Sequence, residues 1–267
     1  MPEPNGIWCN GVLLALMDYT QKKSLGQHFL KDEQVCKRIV EELEKDAFEQ
    51  LLEVGPGAGA LTKYLLNIQG TAFKAVELDR EKVDYLNAAF PAIRGKITTE
   101  DFLKMDPPFT GAFTVVGNFP YNISTQILFK VLDWREQVPI VIGMFQKEVA
   151  QRAASPAGSK VYGVLSVLIQ AFYNVEYLFD VDPSCFTPPP KVTSGVIRLV
   201  RRNNLPAMKS EKAYFNLVKT AFNQRRKTMR NAVKSLFDED ILKEEFFQKR
   251  AEVVTVEQFA ALTFRMR

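Results

Sequence analysis

The stretch Glu53-Val54-Gly55-Pro56-Gly57-Ala58-Gly59 decides how this chain folds. An apolar run at 50–54 leads into it, and an amphipathic, helix-like stretch at 61–67 leaves it. Glycines let a backbone turn sharply and approach a ligand closely, and a helix start presents N–H groups with no intrahelical acceptor. The spacing is GxGxG, with the acidic Glu53 two positions ahead, and so differs from the GxGxxG of dinucleotide-binding turns. Strand, glycine turn and helix together read as the first unit of a crossover fold with a ligand site at its turn.

The same alternation continues downstream. Strands are expected at 72–77, 96–99, 113–117 and 138–144, with amphipathic helices at 80–90 and 123–133 between them. Helical patterns follow at 146–153 and 161–170, then two β-rich runs at 172–181 and 193–201. Between those runs the three prolines 188–190 cannot continue a ladder, so 186–191 reads as a rigid connecting loop. The fold class expected is α/β, a mostly parallel, doubly wound sheet. Asn203-Asn204-Leu205-Pro206 reads as a linker, and from Glu211 onward the pattern is helical. The division expected is an extension at 1–21, an α/β domain at 22–202 and a small all-helical domain at 203–267.

The formal charge of +4 conceals an asymmetry. Residues 199–267 hold 15 Lys and Arg against 8 Asp and Glu, a net +7, whereas residues 1–198 are net −3. A basic helical appendage suits a polyanionic partner as well as a solvated helix face. Three cysteines, Cys9, Cys36 and Cys185, form no CxxC pair, so neither a disulfide framework nor a metal cluster is expected. The apolar stretch 12–17 is far too short to span a bilayer and lacks a basic flank for secretion. A soluble cytoplasmic protein with no bound metal is expected.

Further residues gather at the same rim. Glu77 ends the second strand, where an acid suits ribose hydroxyls. Asp101, after the third strand, can accept from an adenine amine while Phe102 packs on the base. Asn118-Phe119-Pro120-Tyr121 ends the fourth strand. An adenine amine is a poor nucleophile because its lone pair is delocalised. Acceptors on its two hydrogens, the Asn118 side chain and the Pro120 carbonyl, would draw the nitrogen toward a tetrahedral shape. Tyr121 can stack on the extruded base, an interaction of about 1–3 kcal/mol. Such catalysis works by positioning and needs no strong base.

The GxGxG variant with its leading acid resembles the first motif of Rossmann-like S-adenosylmethionine methyltransferases. From about Lys22 to the C-terminus the chain is similar to the small-subunit ribosomal RNA adenine dimethyltransferases of the KsgA type. Lys23-Ser24-Leu25-Gly26-Gln27-His28-Phe29-Leu30 resembles that family's cofactor-covering motif. The resemblance places Gln27, His28 and Leu30 against the cofactor, with Glu53, Gly55, Gly57, Gly59, Glu77, Leu78, Asp101, Phe102 and Asn118. By chemistry alone His28, the single histidine, is also a candidate base. Phe186-Thr187-Pro188-Pro189-Pro190-Lys191-Val192-Thr193-Ser194 resembles the FxPxPKVxS signature. That implies Phe186 facing Tyr121 across the target base and Lys191 near RNA, although Phe186 could equally be core. Phe222-Asn223-Gln224-Arg225-Arg226-Lys227-Thr228-Met229-Arg230-Asn231 resembles the FxxRRKTLRN element, with Arg225, Arg226, Lys227 and Arg230 as phosphate contacts. Phe119 and Met229 depart from the family's usual residues.

The resemblance implies dimethylation of two adjacent adenines in a hairpin near the 3′ end of small-subunit RNA, within an immature particle, by a monomer. The competing readings are a large-subunit RNA methyltransferase of the macrolide-resistance type and a non-catalytic RNA-binding relative. Small-molecule methylation would not call for a basic helical appendage, and DNA adenine methylation would leave the C-terminal resemblance unexplained. Arg225→Glu combined with Arg226→Glu is expected to weaken binding to ribosomal particles and leave cofactor affinity unchanged. Calorimetry and particle sedimentation check both halves of that expectation.

Overall fold

The computed structural model describes residues 28–224 and 226–267. Among the described residues nine strands occur in chain order: β1 Phe29–Leu30, β2 Gln50–Val54, β3 Ala72–Glu77, β4 Ile97–Thr99, β5 Thr114–Asn118, β6 Ile140–Gln146, β7 Tyr173–Val181, β8 Phe186–Thr187 and β9 Ser194–Arg201. Seven form one sheet in the order β4-β3-β2-β5-β6-β9-β7. The first five in that order run parallel, and β9 and β7 are antiparallel additions at one edge. The expected sheet strands are all present, with ends that differ by no more than two residues.

Between them lie α1 Glu33–Leu43, α2 Thr62–Leu65, α3 Arg80–Ala89, α4 Ser124–Asp133, α5 Lys147–Ala154 and α6 Val164–Gln170. Aspartates start two of these. Asp32 accepts from the Gln34 and Val35 amides at 2.9 and 3.1 Å, and Asp79 accepts from the Glu81 amide at 3.1 Å. Each bond satisfies a donor that the first helical turn leaves without a partner.

Strand alternation sorts the apolar side chains into two layers. Leu52, Val115 and Val141 belong to one buried cluster, and their neighbours Leu51, Val116 and Ile142 belong to the other. The first cluster extends into the helical C-terminal region, through α7 Glu211–Asn223 and three short helices, α8 Met229–Ala232, α9 Glu239–Leu242 and α10 Val256–Leu262. Tyr214 donates to the Val167 carbonyl at 3.2 Å and Tyr162 to that of Val254 at 3.1 Å. These bonds give the two buried phenols acceptors across the seam, and the apolar packing is continuous there.

One feature had no signal in the sequence. β1 pairs antiparallel with β8, Phe29 opposite Thr187 and Leu30 opposite Phe186. Two-residue strands so far apart in the chain carry no periodicity to read. The loop expected at 186–191 is therefore shorter than read, because its first two residues pair with β1 and only from Pro188 onward does the chain leave the ladder.

Two glycines make room for Phe119. Gly117 and Gly143 are register partners on β5 and β6. A Cβ on Gly143 would lie 2.2 Å from Phe119 Cε2, and one on Gly117 would lie 2.6 Å from the Val54 carbonyl oxygen and 2.9 Å from Phe119 Cε1. Phe119 itself is 1% exposed. The phenylalanine therefore occupies space that side chains on the two strands would otherwise fill. Gly143→Ala is expected to destabilise the protein by about 1–3 kcal/mol through overpacking. Adding Phe119→Leu should recover part of the loss, as measured by urea unfolding of the single and double variants.

Candidate functional site

The strand order reverses between β2 and β5, and the loops leaving their C-terminal ends diverge there. Open α/β sheets bind ligands at that crevice. A cavity of about 230 Å³ lies there, and the described residues expected to hold the cofactor line it, apart from Gly59. Gln27 lies outside the described residues, as does Arg225.

The glycine turn works as its spacing suggests. Gly55, Gly57 and Gly59 have φ of 69°, 60° and 84°, where only glycine sits without strain. A Cβ on Gly55 would touch the Pro120 ring at 3.6 Å, so the glycine turn abuts the Asn118–Tyr121 turn. Gly57 lies under the Phe29 ring, 3.6 Å from a Cβ placed on it. Gly59 has a different role from the one expected. Its hydrogen faces Phe90 and Leu86, and a Cβ there would be 2.4 Å from Phe90 Cε2. It allows close packing of α3 and does not line the cavity.

Glu77 is buried and ties the turn together. Its Oε2 accepts from the Gly57 amide at 3.2 Å and its Oε1 from the Asp79 amide at 3.1 Å. Lys82 Nζ lies 3.7 Å from the same Oε2. Leu78, next in the chain, is 56% exposed and lines the cavity, an apolar surface suited to a flat base. Asp101 also lines it, with Oδ1 accepting from the Leu103 amide at 3.0 Å. Phe102 is held edge-on against Trp134 at 5.2 Å, so it contributes to the floor rather than standing in the cavity.

The Asn118–Tyr121 turn is braced from two directions. Asn118 Nδ2 donates to the His28 carbonyl at 3.3 Å, which keeps Oδ1 as the acceptor of that amide. The Pro120 carbonyl accepts from the Ile123 amide at 3.3 Å and from Ser124 Oγ at 3.2 Å. Tyr121 hydrogen-bonds Ser194 Oγ, and burial raises its phenol above the usual range. The His28 ring lies 5.5 Å from that of Tyr121, and its Nδ1 donates to the Pro188 carbonyl at 2.9 Å. His28 thus links three chain segments, and that bond assigns its Nδ1 proton a structural duty.

Phe186 corrects an expectation. It was to face Tyr121 across a base, but its side chain is 0% exposed and does not line the cavity. Pairing of β8 with β1 places it in the same buried cluster as Leu30, Val181 and Val196. In this structure Phe186 supports the cavity wall from behind. Lys191, Arg226, Lys227 and Arg230 are exposed, as phosphate contacts must be. Sequence reasoning passed over Phe29, Lys82 and the bracing role of Ser194. A lysine two residues past the start of a helix reads as a surface residue, and only the fold turns it inward.

Glu53 is buried, and Thr62 Oγ1 donates to its Oε2 at 2.7 Å. Burial pushes its carboxyl up to about 8 against the lowering effect of that bond, with the Glu77 charge adding to the rise. The folded chain therefore holds a proton that the unfolded chain releases above its ordinary value of 4.5. The stability this contributes is present below about pH 4.5, is lost as pH rises toward 8, and is on the order of a few kcal/mol. Glu53→Gln, which resembles the neutral acid, should flatten the dependence of the urea midpoint on pH across that window. An unchanged slope would show that Glu53 is ionised in the fold.

Comparison with known proteins follows the same lines. The family described as "Ribosomal RNA adenine dimethylase" matches residues 19–265. The chain is 51% identical over 246 residues to a protein of Cytophaga hutchinsonii named ribosomal RNA small subunit methyltransferase A, covering 91% of this chain and 95% of that one. It is 52% identical over 248 residues to the protein of the same name from Parabacteroides distasonis, covering 91% and 92%. Among solved structures, a dimethyladenosine transferase from Plasmodium falciparum shares the fold with a TM-score of 0.73 at 23% identity, covering 87% and 94%. The 23S rRNA methyltransferase ErmE does so with 0.69 at 24%, covering 89% and 99%. A match across nearly the whole length, joined to half-identical relatives and to a glycine turn abutting an Asn-Phe-Pro-Tyr turn, places this chain in the ribosomal RNA adenine dimethylase family.

Proposed function

We propose that this enzyme transfers methyl groups from S-adenosylmethionine to the N6 amines of two adjacent adenines near the 3′ end of small-subunit ribosomal RNA. The half-identical relatives are named ribosomal RNA small subunit methyltransferase A, and the matching family is described as ribosomal RNA adenine dimethylase. The observation that carries the chemistry is the contact between the glycine turn and Pro120, which brings a cofactor cradle and an amine-gripping turn to one cavity.

The residues present fit the cofactor. Glu77 offers a carboxylate for a ribose, Leu78 an exposed apolar face for a purine, and Gly57 a backbone without a side chain of its own, roofed by the Phe29 ring. When bound, S-adenosylmethionine supplies a methyl group on a sulfonium. The chain supplies position. Asn118, its Nδ2 engaged by His28, turns Oδ1 to one amine hydrogen. The Pro120 carbonyl takes the other on the lone pair left when the single Ser124 hydroxyl proton goes instead to the Tyr121 carbonyl, equally near at 3.2 Å, and proline's fixed φ holds it in place. The Tyr121 ring, anchored through its hydroxyl to Ser194, stacks on the base and gives it a defined plane. The amine's proton leaves after transfer, when the nitrogen is positively charged, so no buried base is needed.

Lys191, Arg225, Arg226, Lys227 and Arg230 engage RNA phosphates, and the substrate is an immature small subunit met by a monomer in the bacterial cytoplasm. Among the described residues no helix is long and apolar enough to cross a membrane. The macrolide-resistance reading has the same chemistry but a different RNA. The test is incubation with labelled cofactor and unmethylated small subunits, followed by mass spectrometry of the modified bases. Two neighbouring N6,N6-dimethyladenines are expected. Modification confined to protein-free large-subunit RNA would overturn the assignment. Asn118→Ala is expected to bind particles like the parent while methyl transfer falls about a hundredfold or more. Tyr121→Phe, which loses the tether to Ser194 but keeps the ring, should lose less.

A further inference from the structure

Lys82 is buried in the first turn of α3, with 6% of its surface exposed. A buried ammonium is costly unless it is paired and hydrogen-bonded. Glu53, Glu77, Glu100 and Asp101 line the cavity, and Lys82 is the only lysine or arginine among the described residues that do. Its Nζ is 3.7 Å from Glu77 Oε2 and 5.6 Å from the centre of the Phe29 ring. The Glu77 separation is that of an ion pair at the cavity wall. Glu77 meanwhile already accepts from the Gly57 and Asp79 amides.

A ribose presents two hydroxyls, and each both donates and accepts. An ionised carboxylate takes only the donor half of that pattern. The acceptor half calls for an N–H, and Lys82 brings three beside the same carboxylate oxygen. We propose that Lys82 is a ribose-binding residue: its ammonium donates to a sugar hydroxyl whose proton goes to Glu77, so the two side chains read the diol as a donor–acceptor pair. Lys82 also places a cation beside the Glu77 carboxylate at the cavity wall. The inference rests on the reading that Glu77 holds the cofactor's ribose.

The test is calorimetry with S-adenosylhomocysteine and its 2′-deoxy and 3′-deoxy analogues, on the full-length protein and its Lys82→Met and Lys82→Gln variants. Lys82→Met should weaken the parent ligand roughly tenfold to hundredfold, the loss expected for a hydrogen bond to a charged donor. One deoxy analogue, already weak with the unmodified protein, should lose little more, because its partner hydroxyl is gone. Lys82→Gln, which keeps an N–H, should fall between. If Lys82→Met weakens all three ligands by the same factor, the residue is only structural and the proposal is overturned.

If neither variant folds, lysine-selective ¹⁵N NMR of the unmodified protein decides. Lys82 is the only buried lysine among the described residues. Its ammonium signal should shift with the parent ligand and not with the sensitive deoxy analogue. Equal shifts with all three ligands overturn the proposal. Glu77→Gln separates the two layers of the argument. If it weakens binding while Lys82→Met treats the ligands alike, only the lysine's role fails. If Glu77→Gln and both deoxy changes leave affinity unchanged, the ribose assignment itself fails.

Discussion

The site depends on the parallel pairing of β2 with β5. Their crossovers run to opposite sides of the sheet, and their backbone pairing, with the apolar packing of Leu51, Leu52, Val115 and Val116, keeps their ends side by side. Gly117 makes the approach possible, because any larger residue would strike the Val54 carbonyl. The glycine turn and the Asn118–Tyr121 turn then emerge in contact, through Gly55 and Pro120. The two turns to which the proposed function assigns the cofactor and the adenine amine are thereby adjacent as a property of the sheet, before any ligand adds its own binding energy. This is preorganisation in a literal sense: the orienting groups are held by backbone pairing deep in the core.

The cavity shows how acids are sorted by their surroundings. Glu53 and Glu77 stand on adjacent strands, yet they are supported differently. Glu53 has burial and a threonine hydroxyl, and burial favours its neutral form. Glu77 has two amide donors and a neighbouring ammonium. One acid thus serves as a hydrogen-bonding strut beneath the turn, while the other is held by amides and an ammonium at the cavity wall. Both roles follow from which donors reach each carboxylate.

Much of this was legible in the sequence because the signals were local. The sheet strands stood out as apolar runs, and the acids at their ends fell on one rim because parallel strands all finish on the same side. Asn118, Pro120 and Tyr121 were legible for the same reason. What escaped notice was non-local. Gly59 looked like a ligand glycine until Phe90 was seen against it. Phe186 looked available for stacking until its pairing with Leu30 turned it into the core. Lys82 drew no reading at all, because only the fold brings the cavity around it. In each case the deciding neighbour lies far away in the chain or on another element.

The short pairing of β1 with β8 carries a consequence for synthesis. It joins residues near 30 to residues near 186, and the Lys31 amide reinforces it by donating to the Cys185 carbonyl at 2.9 Å. Contacts so distant along a chain form late, because closing the intervening loop costs entropy before any contact offsets it. A growing polypeptide that has reached only β6 owns every glycine of the cradle but has nothing to clasp its first strand over them. The roof is built from the beginning of the chain and locked by its later part, so a truncated product cannot hold a cofactor as the finished enzyme does.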